Sequence, residues 1–189
     1  MNKFHHWFCQ SNAWRKTAHE RVTWVTGNVD LGEHLLELGP GPGLTTDWLR
    51  RSVPRLTAVE LDPKLADALR TRLSGDGVQV VTADASALPF PDACFSAAAC
   101  FTMLHHLPDA ERQDKLLAEV NRVLRPGGVF LGSDSRQGLV MRLIHIGDTL
   151  VPVNPATFGR RLQAAGFDVC AIEEGARAFR FLARRPTVQ

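Results

Sequence analysis

Residues 36–43 read Leu-Glu-Leu-Gly-Pro-Gly-Pro-Gly. A short apolar run enclosing one acid meets a turn with glycine at every second position, and Leu44-Thr45-Thr46-Asp47-Trp48-Leu49 then reads as a helix start. Few folds accept such a corner. Glycine has no Cβ, so the backbone can take positive φ and a ligand can lie directly against it. A strand, a glycine turn and a helix N-terminus together make a nucleotide-type pocket at the carboxyl edge of a parallel sheet.

The rest of the chain repeats this alternation. Strands are predicted at 34–38, 56–61, 78–82, 96–101 and 129–132, with helices at 45–51, from Pro63 onward and at 109–122. Pro63 occupies a favoured first helical position, and Leu65, Leu69 and Leu73 recur as one buried stripe. Arg125-Pro126-Gly127-Gly128 stops the third of these helices, because proline cannot continue it and glycine permits the reversal. Asn154-Pro155 opens a last helix that Gly166 closes, and runs 167–173 and 178–182 form a terminal hairpin. The expectation is an α/β protein with a doubly wound, mostly parallel seven-stranded sheet and an antiparallel C-terminal hairpin strand.

Composition narrows the class. A chain of 189 residues with 44% hydrophobic and 22% charged residues suits one globular domain. A net charge of +2 gives no electrostatic footprint for nucleic acid. Cys9, Cys94, Cys100 and Cys170 form no C-x-x-C pair, so they read as reduced thiols rather than as a disulfide framework or a metal site. The first residues carry no continuous apolar signal, and the greasiest stretch, 139–153, is broken by Arg142, His145 and Asp148. A cytoplasmic protein without a membrane span is expected.

Four features follow in fixed order: the turn from Glu37 to Gly43, Glu60 at the end of the second strand, Asp84-Ala85 at the end of the third, and Leu124-Arg125-Pro126-Gly127-Gly128 before the fifth. With Leu104-His105-His106 after the fourth strand, this set resembles the class I S-adenosylmethionine-dependent methyltransferases, of the small-molecule (type 11-like) branch, over residues 34–134. The resemblance implies a Rossmann-like fold with S-adenosylmethionine as cofactor and no metal. It places the backbone at Gly39, Gly41 and Gly43 against the methionine part of the cofactor, with Glu37 beside the turn, fixing the amino end. Glu60 would accept from both ribose hydroxyls, Leu61 would pack on the adenine, and Asp84 would take its amino group beside the Ala85 amide. Cys100 would add a backbone contact. His105-His106 is read as lining the pocket wall, and no catalytic base is assigned.

Three other readings turn on particular residues. A nicotinamide-dependent oxidoreductase needs a small residue at the third glycine position of its fingerprint, where Leu44 stands. Ribosomal-RNA adenine dimethyltransferases share Glu37–Gly43 and Val59-Glu60-Leu61-Asp62, but hold their target with an Asn-Pro-aromatic element where this chain reads Cys100-Phe101-Thr102-Met103-Leu104-His105-His106. A non-catalytic cofactor-binding module is the third.

The expected division is an N-terminal helical cap (1–30), a cofactor-binding core (34–134), and a lid segment, last helix and hairpin (135–189). Phe4, Trp7, Phe8 and Trp14 in the cap, and Leu139, Met141, Leu143 and Ile144 after the fifth strand, are expected to enclose an apolar pocket for a lipophilic small-molecule acceptor. The competing expectation packs them on the core as ordinary helix faces.

Overall fold

The computed structural model describes residues 12–27, 29–136, 138, 143, 145 and 147–187. The cap residues Phe4, Trp7 and Phe8, the Trp14 side chain, and Leu139, Met141 and Ile144 lie outside them, as does Cys9. The described chain runs α1 (Asn12–Thr26), β1 (His34–Leu38), α2 (Thr46–Leu49), β2 (Arg55–Glu60), α3 (Pro63–Arg72), β3 (Val78–Thr82), β4 (Phe95–Phe101), a 3-10 turn (Leu104–His106), α4 (Ala110–Val123), β5 (Leu124–Ser135), α5 (Pro155–Ala164), β6 (Asp168–Glu174) and β7 (Ala178–Arg184).

The strands form one sheet in the order β3-β2-β1-β4-β5-β7-β6. The first five are mutually parallel, and β7 runs antiparallel between β5 and β6. This is the expected mixed sheet, with the last strand inserted inside the hairpin's partner rather than at the edge.

Helices cover both faces because successive strand residues point to opposite sides. On one face Leu36, Leu38, Ala98, Cys100, Phe130 and Phe181 pack with Leu116, Leu117 and Val120 of α4 and Phe158 and Leu162 of α5. On the other, Leu35, Leu56, Ala58, Ala97, Ala99 and Leu131 pack with Val22 and Val25 of α1, Leu49 of α2 and Leu69 of α3.

Helix starts follow local chemistry. The Asp62 carboxylate accepts from the amide of Lys64 at 2.8 Å, with Pro63 at the first position. Asp109 and Asn154 do the same for α4 and α5 through Arg112 and Ala156. β5 is longer than expected at both ends. Its pairing with β4 jumps from Phe95↔Leu124 to Ala97↔Val129, so Arg125–Gly128 bulge outward, and Gly127 takes φ +77° there. Its far end is extended by pairing to β7 as far as Ser135↔Ala178. Among the described residues, no helix is long and apolar enough to cross a membrane.

Candidate active site

A cavity of about 980 Å³ opens at the carboxyl ends of the parallel strands. This is where the strand order turns outward in both directions from β1 and β4, the position at which doubly wound sheets hold ligands. Gly39, Gly41, Glu60, Leu61, Asp84 and Ala85, six of the nine residues singled out in the sequence, line it together.

The turn leaves β1 with the Gly39 amide donating to the Val59 carbonyl at 2.9 Å. Gly41 has φ +55°, and a Cβ built there meets nothing within 4 Å, so its bare backbone faces open space in the cavity wall. Gly43 serves packing instead. At φ +82°, a Cβ there would lie 2.3 Å from the Leu69 side chain, which seats the turn on α3, and Gly43 is absent from the cavity wall.

Glu60 ends β2 and is 8% exposed. One carboxylate oxygen accepts from the Gly41 amide at 2.9 Å and the other from the Asp62 amide at 3.0 Å. Those bonds brace the glycine turn against the neighbouring strand end and leave further acceptor positions on the carboxylate. Leu61 follows with 68% exposure, an apolar side chain at the cavity lip with little protein on it.

Asp84 lies just beyond β3. One of its oxygens accepts from the amide and hydroxyl of Ser86, both at 2.8 Å, and the other from the Arg112 guanidinium at 3.0 Å. Burial pushes this carboxyl up, but the Ser86 bonds and the Arg112 charge outweigh it and hold it below its usual range. Arg112 was not foreseen in the sequence.

Glu37 is 1% exposed and sits under the turn, off the cavity wall. It accepts from the Thr45 hydroxyl at 2.5 Å, while its second oxygen is buried without a hydrogen-bond partner. Burial pushes its carboxyl up to about 7; the Thr45 bond pulls the other way, and the charges of Asp47 and Glu60 add to the rise.

Cys100 does not reach the cavity. Cys100 precedes the last residue of β4 and lies inside the sheet, fully buried between Leu38 and Gly132, and Phe101, Thr102 and Met103 take the wall position. Thr102 adopts φ +53°, a strained conformation for a β-branched residue, with its amide donating to the Ser133 carbonyl at 2.8 Å.

The cavity also carries a cluster of histidines. His105 is 2% exposed, and its Nδ1 lies 2.5 Å from a carboxylate oxygen of the fully buried Asp134, near the end of β5. The second Asp134 oxygen accepts from the His105 amide at 3.2 Å. Burial pushes the Asp134 carboxyl up, yet the facing His105 and the amides of Ser135 and His105 bring it below its usual range. His106 and His145 complete the cluster. Asp134 was missed in the sequence, where a single acid ending an apolar strand has no local signature.

Both segments expected to enclose the acceptor reach the cavity: α1 through Ala18 and Arg21, and the stretch after β5 through His145, Asp148 and Thr149. Of the eight apolar residues expected there only Leu143 is among the described side chains, and it is 59% exposed and off the wall. Apolar lining comes from elsewhere, including Leu44, Leu65, Phe101, Met103 and Leu107.

Comparison with known proteins agrees with this geometry. Residues 36–132 match the family described as "Methyltransferase domain". A fatty-acid O-methyltransferase of Mycolicibacterium smegmatis is 38% identical over 107 residues, covering 56% of this chain and 38% of that protein. A ubiquinone/menaquinone biosynthesis C-methyltransferase of Desulfotalea psychrophila is 32% identical over 121 residues, covering 63% of this chain and 46% of that protein. The chain thus spans less than half the length of these two relatives. Among solved structures, a protein of Pyrococcus horikoshii OT3 superposes with a TM-score of 0.81 at 14% identity over 94% of each chain, a likeness of fold. By its match over half its length, the chain belongs to the methyltransferase domain family, among the class I S-adenosylmethionine-dependent methyltransferases.

Proposed function

We propose that this chain transfers the methyl group of S-adenosylmethionine to a small, largely apolar acceptor. One observation carries the reading: the turn at Gly39 and Gly41, bare at Gly41, the Glu60 carboxylate and Asp84 line a single cavity at the sheet's carboxyl edge. The residues suit the group. The cofactor's ammonium end would lie by the turn, where Glu37 holds a buried oxygen in want of a partner. Glu60, already fixed by two amides, would accept from the ribose hydroxyls, and the exposed Leu61 would gain cover from the adenine ring. Asp84 and the Ala85 amide would meet the adenine edge, with the Ser86 bonds and the Arg112 charge holding the Asp84 carboxyl below its usual range.

When bound, the sulfonium supplies an already activated methyl group. The protein's task is then alignment and exclusion of water, and well-oriented reactants gain about 7–11 kcal/mol in favourable cases. The relatives' fatty-acid and quinone names, and the apolar part of the wall, support a lipophilic acceptor.

Thermal unfolding with S-adenosylmethionine, its demethylated product and a nicotinamide dinucleotide tests the cofactor. The first two should raise the melting temperature and the third should not. Glu60→Gln keeps one oxygen to brace the turn but removes the charge. A hydrogen bond to a charged group contributes roughly 1.5–3 kcal/mol, so affinity should fall by about 10- to 100-fold. Wild-type affinity in that variant would overturn the ribose assignment. Turnover of labelled donor with long-chain carboxylic acids and hydrophobic phenols separates an enzyme from a binding module.

A further inference from the structure

The cavity wall holds three histidines that the cofactor reading does not use. His105, His106 and His145 each offer a ring nitrogen, and these nitrogens all lie within 4.8 Å of one another. The ring centroids are 4.2 Å apart for His105 and His106 and 5.1 Å for either with His145. Two of the three are buried, and all three line the cavity.

From this geometry we infer that His105, His106 and His145 form a site for a divalent first-row transition metal, with a coordination position open to the cavity. The ligand set selects the class of ion. Imidazole suits zinc, nickel, copper and iron(II), whereas magnesium and calcium take oxygen ligands. A three-histidine set is also the pattern that leaves a fourth position for solvent or substrate.

The surrounding structure is arranged as such a site requires. Metal-binding histidines donate their other ring N–H to a carboxylate or carbonyl, which fixes the tautomer and orients the ring. Asp134 stands in this place for His105: its carboxylate oxygen lies 2.5 Å from Nδ1, so Nε2 is the ring nitrogen left for an ion. Asp134 is itself held by the amides of His105 and Ser135, and its charge offsets part of the ion's. It also offsets that of the desolvated Arg21 guanidinium.

The segment carrying His145 is tied to the turn carrying the other two. The Gln113 side-chain amide donates to the carbonyls of Leu104 at 3.0 Å and Val151 at 2.8 Å, and the Val151 amide donates to the His105 carbonyl at 2.8 Å. Zinc–nitrogen bonds of about 2.0–2.1 Å require the three nitrogens to draw together by roughly an ångström, within reach of ring rotation on Cα–Cβ bonds. Packing alone would not call for a buried carboxylate behind one ring.

Titration with cobalt(II) or zinc(II) alone tests the site, and its outcome does not depend on methyl transfer. His5 and His6 stand adjacent in the sequence, so the titration belongs in a His5→Ala, His6→Ala background. One equivalent of cobalt(II) should bind with visible bands of low-symmetry coordination, and acetohydroxamate should shift them by occupying the open position. His106→Ala and His145→Ala should each lower affinity at least about tenfold, and Asp134→Asn by about 10- to 100-fold. His34→Ala, outside the cluster, should leave affinity unchanged. Circular dichroism identifies any variant that fails to fold; His106, the least buried of the three, provides the variant that tolerates truncation. Absence of stoichiometric binding, equal affinity in His106→Ala, or bands indifferent to acetohydroxamate would overturn the proposal. Loss of cofactor binding with metal binding intact would instead count against the methyl-transfer reading.

Discussion

Glu37 carries a cost that its position explains. It is buried on the sheet face under the turn with one oxygen unpartnered, and its carboxyl is pushed up to about 7 by burial. A carboxyl raised in the folded state contributes stability below its unfolded value, and that contribution is lost as pH rises from the ordinary range near 4.5 to about 7. The expected loss is on the order of 3 kcal/mol, from about 1.4 kcal/mol for each pKa unit. Urea unfolding at pH 5 and pH 8 should show it as a difference between the wild type and Glu37→Gln, which has no proton to lose. Because the cofactor's ammonium favours the ionised form, binding near pH 6.5 should release a proton. Calorimetry in two buffers of different ionisation enthalpy reads that release; identical heats would place the ammonium away from Glu37.

At the scale of elements, the least obvious device is the side chain of Gln113. It is 1% exposed in α4 and joins the 3-10 turn to Val151, while its carbonyl accepts from the Arg161 guanidinium of α5 at 2.9 Å. Gln113→Leu leaves two carbonyls and a guanidinium N–H without that partner. The expected destabilisation is roughly 1–3 kcal/mol, checked by the urea midpoint at unchanged m-value. None of this was legible beforehand, because a glutamine on a helix reads as a solvated face. The bounds of β1 and β3 were legible to the residue, since short apolar runs there end at glycine or polar punctuation on both sides. β5 was underestimated because its length comes from a partner strand some fifty residues away. The carboxyl end of β4 was legible at Phe101, and it is this last strand residue, not Cys100 before it, that stands on the cavity wall. The glycine turn and the acids at strand ends were legible because local spacing dictates them. Asp134, Arg112 and His145 acquire meaning only when the sheet brings distant segments together.

For the whole molecule, the sheet supplies a fixed floor and the two flanking segments supply walls of a different kind. Ala18 and Arg21 of α1 and His145, Asp148 and Thr149 after β5 all line the cavity. Hydrogen exchange with and without the demethylated cofactor should therefore show added protection in residues 16–26 and 143–151 as well as in the glycine turn. Protection confined to the turn would remove both segments from the wall of the liganded protein. The place of β7 has a consequence for biosynthesis. The chain emerges from the ribosome with β5 already able to join its parallel neighbours, yet the outer border of β5 stays bare until residues 178–184 arrive, and β6 must wait beside it for the same strand. Every nascent chain thus passes through an interval with an open, hydrogen-bond-hungry margin, when capture by another unfinished copy competes with closure of the sheet.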